Sequence, residues 1–309
     1  MIKVFIDGKE GTTGLRIFER LGGRDDIELI TLPEEKRKDS EARREAIHAA
    51  DTVFLCLPDA AAIEAAALAE GSRARIIDAS TAHRTNPAWD YGFPELSSAM
   101  RAAVEASSRV ANPGCHASGF ISLVRPLVDR GILPCEALLT CHSVTGYSGG
   151  GKKMIAQYEN ELDDLLISPR QYGISQSHKH LPEMSVIGGV ENMPVFSPIV
   201  SNFYSGMEVT VPLHRSQLCE GKTIEHIREA YKELYTGPVV KYAEGCDEGG
   251  FLSATSLSGL DSMEISVHGN DDRIILVSRY DNLGKGASGA AVQCFNIMHG
   301  FDETIGLEL

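Results

Sequence analysis

A chain of 309 residues is about twice the usual domain length, and 43% hydrophobic with 23% charged residues is the balance of a folded globular protein, which excludes fibrous and disordered classes. With 29 Lys and Arg against 43 Asp and Glu, the formal net charge of −14 repels a phosphodiester backbone or an anionic lipid surface, so neither nucleic acid nor membrane is an expected partner. No apolar run approaches the ~20 residues of a membrane span, the opening apolar run is too short for a secretory signal, and seven cysteines without a C-x-x-C pair argue against disulfides or a thiolate zinc site, so a cytoplasmic protein with reduced thiols is expected.

From residue 1 to about 112, short Val/Ile/Leu-rich runs alternate with helical patterns. The spacing predicts strands at 2–6, 27–32, 52–57, 74–78 and 108–111, and helices at 13–21, 38–49, 59–70 and 95–106. Such repeated βαβ units build a doubly wound parallel sheet whose ligands collect at the carboxyl ends of the strands. Beyond about residue 135 come longer segments of alternating character at 136–145, 206–214, 262–268 and 273–280. They predict a mixed or antiparallel sheet and a second, α+β domain. A final helix is predicted at 285–299.

The first turn reads Gly8-Lys9-Glu10-Gly11-Thr12-Thr13-Gly14, directly after a strand and opening a helix, where backbone N–H groups and the helix dipole can receive a pyrophosphate. An ordinary tight turn is the competing reading. After the second strand, Lys36 and Arg37 are suited to a 2′-phosphate and favour NADP, although Glu34 and Glu35 stand beside them and a solvated charged helix start fits equally well.

Asn112-Pro113-Gly114-Cys115 puts a cysteine after a strand and a Pro-Gly turn, followed by an apolar helical pattern at 117–128. A thiol at a helix N-terminus is stabilised as thiolate, which is how a nucleophilic cysteine is prepared. An acid/base partner is supplied by the cluster from Tyr172 to Glu183, which contains His178, His180 and Glu183. H-x-H without a third matching ligand, and without H-E-x-x-H, argues against a metal centre. Residues 146–153 spell G-x-x-x-x-G-K without the final Ser or Thr of an ATPase loop. Ser148 and Lys152 in that run can form a small anion nest, and a plain turn fits as well.

Several motifs, taken in order, resemble the short form of the N-acetyl-gamma-glutamyl-phosphate reductases, in the semialdehyde dehydrogenase superfamily. They are the Gly8/Gly11/Gly14 turn, Asp78-Ala79-Ser80-Thr81-Ala82-His83-Arg84, Tyr91-Gly92-Phe93-Pro94-Glu95, Asn112-Pro113-Gly114-Cys115, His178-Lys179-His180-Leu181-Pro182-Glu183 and Asp281-Asn282-Leu283-Gly284-Lys285-Gly286. The resemblance implies NADPH-dependent reduction of N-acetyl-glutamyl 5-phosphate to its semialdehyde in arginine biosynthesis, through a thioester. It makes Cys115 the nucleophile and His178 its acid/base partner, acting as imidazolium, with Tyr172, His180 and Glu183 holding substrate or orienting the histidine. Ser148 and Lys152 are expected to hold the phosphate. Ser80, Asn282 and Gly286 are expected to join Gly8, Gly11, Thr12, Thr13, Gly14, Lys36 and Arg37 around the cofactor. The resemblance also implies a homodimer or homotetramer, and a final helix that returns to the nucleotide domain: 1–114 with 284–309 bind NADP(H), and 115–283 form the catalytic and oligomerisation domain. A reductase of an aspartyl or amino-adipyl phosphate is the alternative enzyme, and a dinucleotide-binding redox sensor the alternative without catalysis.

Overall fold

The computed structural model describes residues 1–161 and 163–309. The chain divides into two compact units. Met1–Pro94, Ser98–Pro113 and Ala287–Leu307 form the first; Glu95–Ser97, Gly114–Gly286 and Glu308–Leu309 form the second.

The first unit runs β1 (Ile2–Asp7), α1 (Thr12–Gly22), β2 (Ile27–Ile30), α2 (Ser40–Ala49), β3 (Thr52–Leu55), α3 (Asp59–Leu68), β4 (Arg75–Asp78), β5 (Asp90–Tyr91), α4 (Ser98–Ala106) and β6 (Arg109–Ala111). All six strands are parallel, in the order β2-β1-β3-β4-β6-β5. The strand order reverses beside β1, so the crevice at the carboxyl ends of β1 and β3 is the ligand position of a doubly wound sheet. Alternation along β1 sends Val4 and Ile6 to one core with Ile17, Phe54 and Ile77, and Phe5 to the other with Ile47, Val53 and the alanines of α3. The two-residue strand β5 was not predicted, because so short a run leaves no periodic signal.

In the second unit, α5 (Cys115–Asp129) and β7 (Thr140–Gly146) are followed by α6 (Gly151–Asn160), β8 (Arg170–Gln171), α7 (Leu181–Gly188), β9 (Val195–Ser201) and β10 (Met207–His214). Then come α8 (Ile224–Leu234), β11 (Val240–Tyr242), β12 (Met263–Gly269) and β13 (Arg273–Tyr280). The sheet is mixed, in the order β11-β12-β13-β10-β7-β9-β8, with β7–β9 and β11–β12 parallel. A π-helical turn at Gly284–Ser288 leads into α9 (Gly289–Met298), whose Val292, Phe295 and Ile297 complete the first core of the first unit. Among the described residues, no helix is long and apolar enough to cross a membrane.

Candidate active site

In the first unit the chain leaves β1 through Gly8, whose φ of +87° is open to glycine and whose added Cβ would stand 2.3 Å from the Cys56 carbonyl oxygen. Gly11 donates its N–H to Gly8 O at 3.0 Å and caps α1 with no side-chain bond, and a Cβ on Gly14 would meet Gly8 O at 2.5 Å. Thr12 and Thr13 begin the helix. Its N-terminal end thus keeps backbone donors unclaimed by side chains, the arrangement that receives a phosphate. A cavity of about 560 Å³ opens there, lined in part by Gly8, Lys9, Gly11, Thr31, Arg37 and Lys38. Arg37 pairs with Glu34 and, at 3.5 Å, with Glu10. Lys36 is exposed and does not line the cavity; the sequence reading chose it and passed over Lys38, because a 3-10 turn at Glu34–Lys36 sets which basic side chains face inward.

Ser80 belongs to a knot at the end of β4. Its hydroxyl donates to Asp78 Oδ2 at 2.7 Å and its N–H to Asp78 Oδ1 at 2.9 Å, while His83 Nδ1 meets Asp78 Oδ2 at 2.6 Å with its ring stacked on Trp89. Arg84 donates from Nε to the Asn112 carbonyl at 2.9 Å and from Nη2 to the Ala79 carbonyl at 3.1 Å. The Asp78–Arg84 motif therefore ties the ends of β4 and β6 together. Asn112 donates to Ala287 O at 3.0 Å, and its buried Oδ1 has no hydrogen-bond partner among the described residues, an acceptor left for a ligand amide.

The second unit carries Cys115, half-buried at the first position of α5, with Gly114 as N-cap. Buried Glu183, in the first turn of α7, accepts the Gly114 N–H at 2.8 Å, so it fixes the turn that presents the cysteine. The Tyr280 hydroxyl accepts the Gly119 N–H at 3.0 Å and donates to the Cys115 carbonyl at 2.5 Å. The backbone at Gly286 runs against the nucleophile: a Cβ there would be 3.1 Å from Cys115 Cβ.

Around this helix start the structure gathers Tyr172, His178 and His180. His178 and His180 lie in the turn entering α7, their ring centroids 4.8 Å apart, and His178 packs on Phe196 at 5.2 Å. His178 Nδ1 accepts the His180 N–H at 3.2 Å, which leaves the proton of a neutral ring on Nε2. Burial, and secondarily Lys179, hold its pKa below the ordinary histidine value. The unliganded chain therefore favours neutral His178 over the expected imidazolium. Burial, with a smaller contribution from Cys115 beside it, pushes the Tyr172 phenol up.

His116 is the member that sequence reasoning missed. It is buried, with Nδ1 2.6 Å from Ser143 Oγ and Nε2 2.6 Å from Tyr172 Oη, and burial plus the neighbouring His178 bring its pKa down to about 3. Its adjacency to Cys115 was the one available signal.

Ser148 and Asn282 meet in the second unit. Asn282 Nδ2 donates to Ser148 Oγ at 3.0 Å, and Asn282 Oδ1 accepts the Gly206 N–H at 3.0 Å. Lys152 stands exposed on α6. Buried Lys285 donates to both oxygens of Glu95 at 2.8 and 2.9 Å, joining two of the sequence motifs through an ion pair. A separate surface group brings Cys135, Glu136 and Glu191 together, none of it part of the histidine cluster.

Residues 3–103 match the family described as semialdehyde dehydrogenase, NAD binding domain, and residues 115–282 the family described as semialdehyde dehydrogenase, dimerisation domain. The first unit is accordingly a nicotinamide-dinucleotide domain. The chain is 46% identical over 304 residues to an N-acetyl-gamma-glutamyl-phosphate reductase of Sinorhizobium medicae, covering 96% of this chain and 98% of the relative. It is 43% identical over 318 residues to N-acetyl-gamma-glutamyl-phosphate reductase 2 of a Nostoc species, covering 99% of each. In fold it is similar to the solved aspartate semialdehyde dehydrogenase II of Vibrio cholerae, with TM-score 0.72 at 15% identity over 97% of this chain and 98% of that one.

Proposed function

Because the chain belongs to the N-acetyl-gamma-glutamyl-phosphate reductase family, we propose that it reduces N-acetyl-γ-glutamyl phosphate to the semialdehyde in arginine biosynthesis, with Cys115 as nucleophile. The observation that carries this reading is a cysteine at the first position of a helix, its turn clamped by a buried glutamate, among Tyr172, His178 and His180. A helix N-terminus favours the thiolate there.

The Cys115 thiolate attacks the acyl carbonyl, the C–O bond to phosphate breaks, and the departing phosphate takes one proton from solvent to leave as hydrogen phosphate. A carboxylate resists hydride; the resulting thioester does not. The dinucleotide, when bound, supplies that hydride. His178, with its proton on Nε2, stabilises the oxygen that becomes negative, and the thiohemiacetal then expels the Cys115 thiolate to release the aldehyde. Ser148 is held by Asn282 within the fold, which leaves Lys152 as the more accessible of the two groups for the phosphate.

The capless start of α1, its glycine turn and the adjoining cavity fit a dinucleotide held by Gly8, Gly11, Thr12, Thr13 and Gly14. Arg37 and Lys38 on that cavity favour NADP(H) over NAD(H). Asn282 and Gly286 lie in the second unit, beside Ser148 and Cys115. The family's dimerisation domain supports a homodimer or homotetramer, and cysteines that form no disulfide among the described residues support a cytoplasmic enzyme.

The test is phosphate-dependent NADP⁺ reduction with N-acetylglutamate semialdehyde, the reverse reaction. Cys115→Ser should lower turnover on the order of 10³-fold or more while leaving NADPH binding intact. Unchanged turnover would refute covalent catalysis at this residue.

A further inference from the structure

The buried chain Ser143–His116–Tyr172 has one self-consistent hydrogen-bond polarity. Ser143, on β7, is wholly buried, and its hydroxyl has His116 Nδ1 as its one partner among the described residues. Were Ser143 to accept from Nδ1, its own proton would be buried without an acceptor, at a cost of about 1–3 kcal/mol. Ser143 therefore donates to Nδ1. A neutral imidazole that accepts at Nδ1 carries its proton on Nε2, and Nε2 stands 2.6 Å from Tyr172 Oη, so the tyrosine oxygen accepts. Every donor in the chain is then used except the last one, the Tyr172 hydroxyl proton. Burial keeps His116 neutral far below the working pH, which preserves this order.

Resting on the reading of Cys115 as nucleophile, we propose that His116 is a positioning residue. It aims the Tyr172 hydroxyl proton at the oxygen of the acyl group carried on Cys115, where it acts beside His178 as a second donor to the developing oxyanion. No covalent bond changes in this step; the proton stays on tyrosine and strengthens its hydrogen bond as charge builds on oxygen. The neighbours fit. His116 follows the nucleophile directly in the chain, and its ring packs on His178, His180 and Phe196 at centroid distances of 5.8, 5.6 and 5.3 Å, so it has little room to turn.

A double-mutant cycle on the reverse reaction tests this, using N-acetylglutamate semialdehyde, inorganic phosphate and NADP⁺. Tyr172→Phe should lower kcat about 10²-fold, the worth of one oxyanion donor, with KM little changed. His116→Phe should lower kcat about 10-fold or more and add nothing further in the Tyr172→Phe background, because it acts through that hydroxyl. His116→Gln, whose amide can accept from Ser143 and donate to Tyr172, should recover most of the loss. Wild-type kcat in His116→Phe, or losses that multiply in the double variant, would overturn the proposal. If His116→Phe does not fold, Ser143→Ala takes its place in the same cycle with the same two deciding outcomes. The rate of Cys115 alkylation by iodoacetamide should stay at the wild-type value in all of these, whereas a displaced helix start would change it. Failure of the underlying reading would show separately, as full turnover in Cys115→Ser.

Discussion

Two helix N-termini in this chain follow a strand and a glycine-containing turn, and they are finished in opposite ways. At α1 the turn is all backbone: Gly8 and Gly14 pack against carbonyl oxygens where no Cβ fits, and no side chain caps the first N–H groups. At α5, whose N-cap is also a glycine without a side-chain bond, side chains from elsewhere in the second unit clamp the flanking backbone instead: Glu183 accepts the Gly114 N–H ahead of the helix, and the Tyr280 hydroxyl bridges the Gly119 N–H and the Cys115 carbonyl. An open helix start suits a ligand that brings its own negative charge and leaves again. A residue that must form and break a bond needs a fixed trajectory, and the side-chain clamps supply it.

The sharpest way to break this contrast is at Gly8. Gly8→Ala forces a Cβ onto the Cys56 carbonyl at a φ that alanine disfavours, so stability should fall by roughly 2–4 kcal/mol and NADPH affinity about 10²-fold. Gly11→Ala, whose Cβ would clear its nearest neighbour by 3.4 Å, should stay within about threefold of wild type. Fluorescence titration with NADPH reads both, and similar losses in the two variants would show that backbone packing does not set this site.

Glu183→Ala is the matching cut at α5. It leaves a buried Gly114 N–H without its 2.8 Å acceptor, which should cost about 2 kcal/mol in urea unfolding and lower kcat roughly 30-fold with NADPH affinity unchanged. A loss confined to dinucleotide binding would assign Glu183 to the other helix.

The same contrast governed what could be read from the chain. A glycine turn between a strand and a helix is local, and so is a cysteine after Asn-Pro-Gly; both stand out within seven residues. His116 takes its meaning from Ser143 and Tyr172, 27 and 56 residues away, and only its place next to Cys115 marks it locally. Glu95 and Lys285 are 190 apart, and neither motif announces that they form one buried pair. Among the strands, β9 was passed over because Pro198 interrupts its apolar run, yet that strand pairs on both sides, with β7 and β8. Helices α6, α7 and α8 escaped because glycines, a proline and dense charge blur their periodicity.

The clamped end also carries an acid weakness. His116 has a pKa of about 3 when folded and about 6.5 when unfolded. Between those values the unfolded chain binds the extra proton, so this contribution is complete above pH 6.5 and is lost as pH falls toward 3. By pH 5 the loss is about 2 kcal/mol. Urea midpoints should fall more steeply with acid in the wild type than in His116→Phe; parallel slopes would mean that the imidazole is not held neutral.

The smallest effect belongs to the open end and asks which charges read the cofactor there. Arg37 and Lys38 line the cavity, and Lys36 does not. The Arg37→Ala, Lys38→Ala double variant should therefore raise the KM for NADPH about 10-fold more than that for NADH, whereas Lys36→Ala should leave their ratio unchanged. Arg37 is already paired with Glu34 and Glu10, and a phosphate dianion must draw it from those partners, which keeps the gain modest. Equal losses for the two cofactors in the double variant would move the phosphate-reading role to Lys9, the third basic side chain on that cavity.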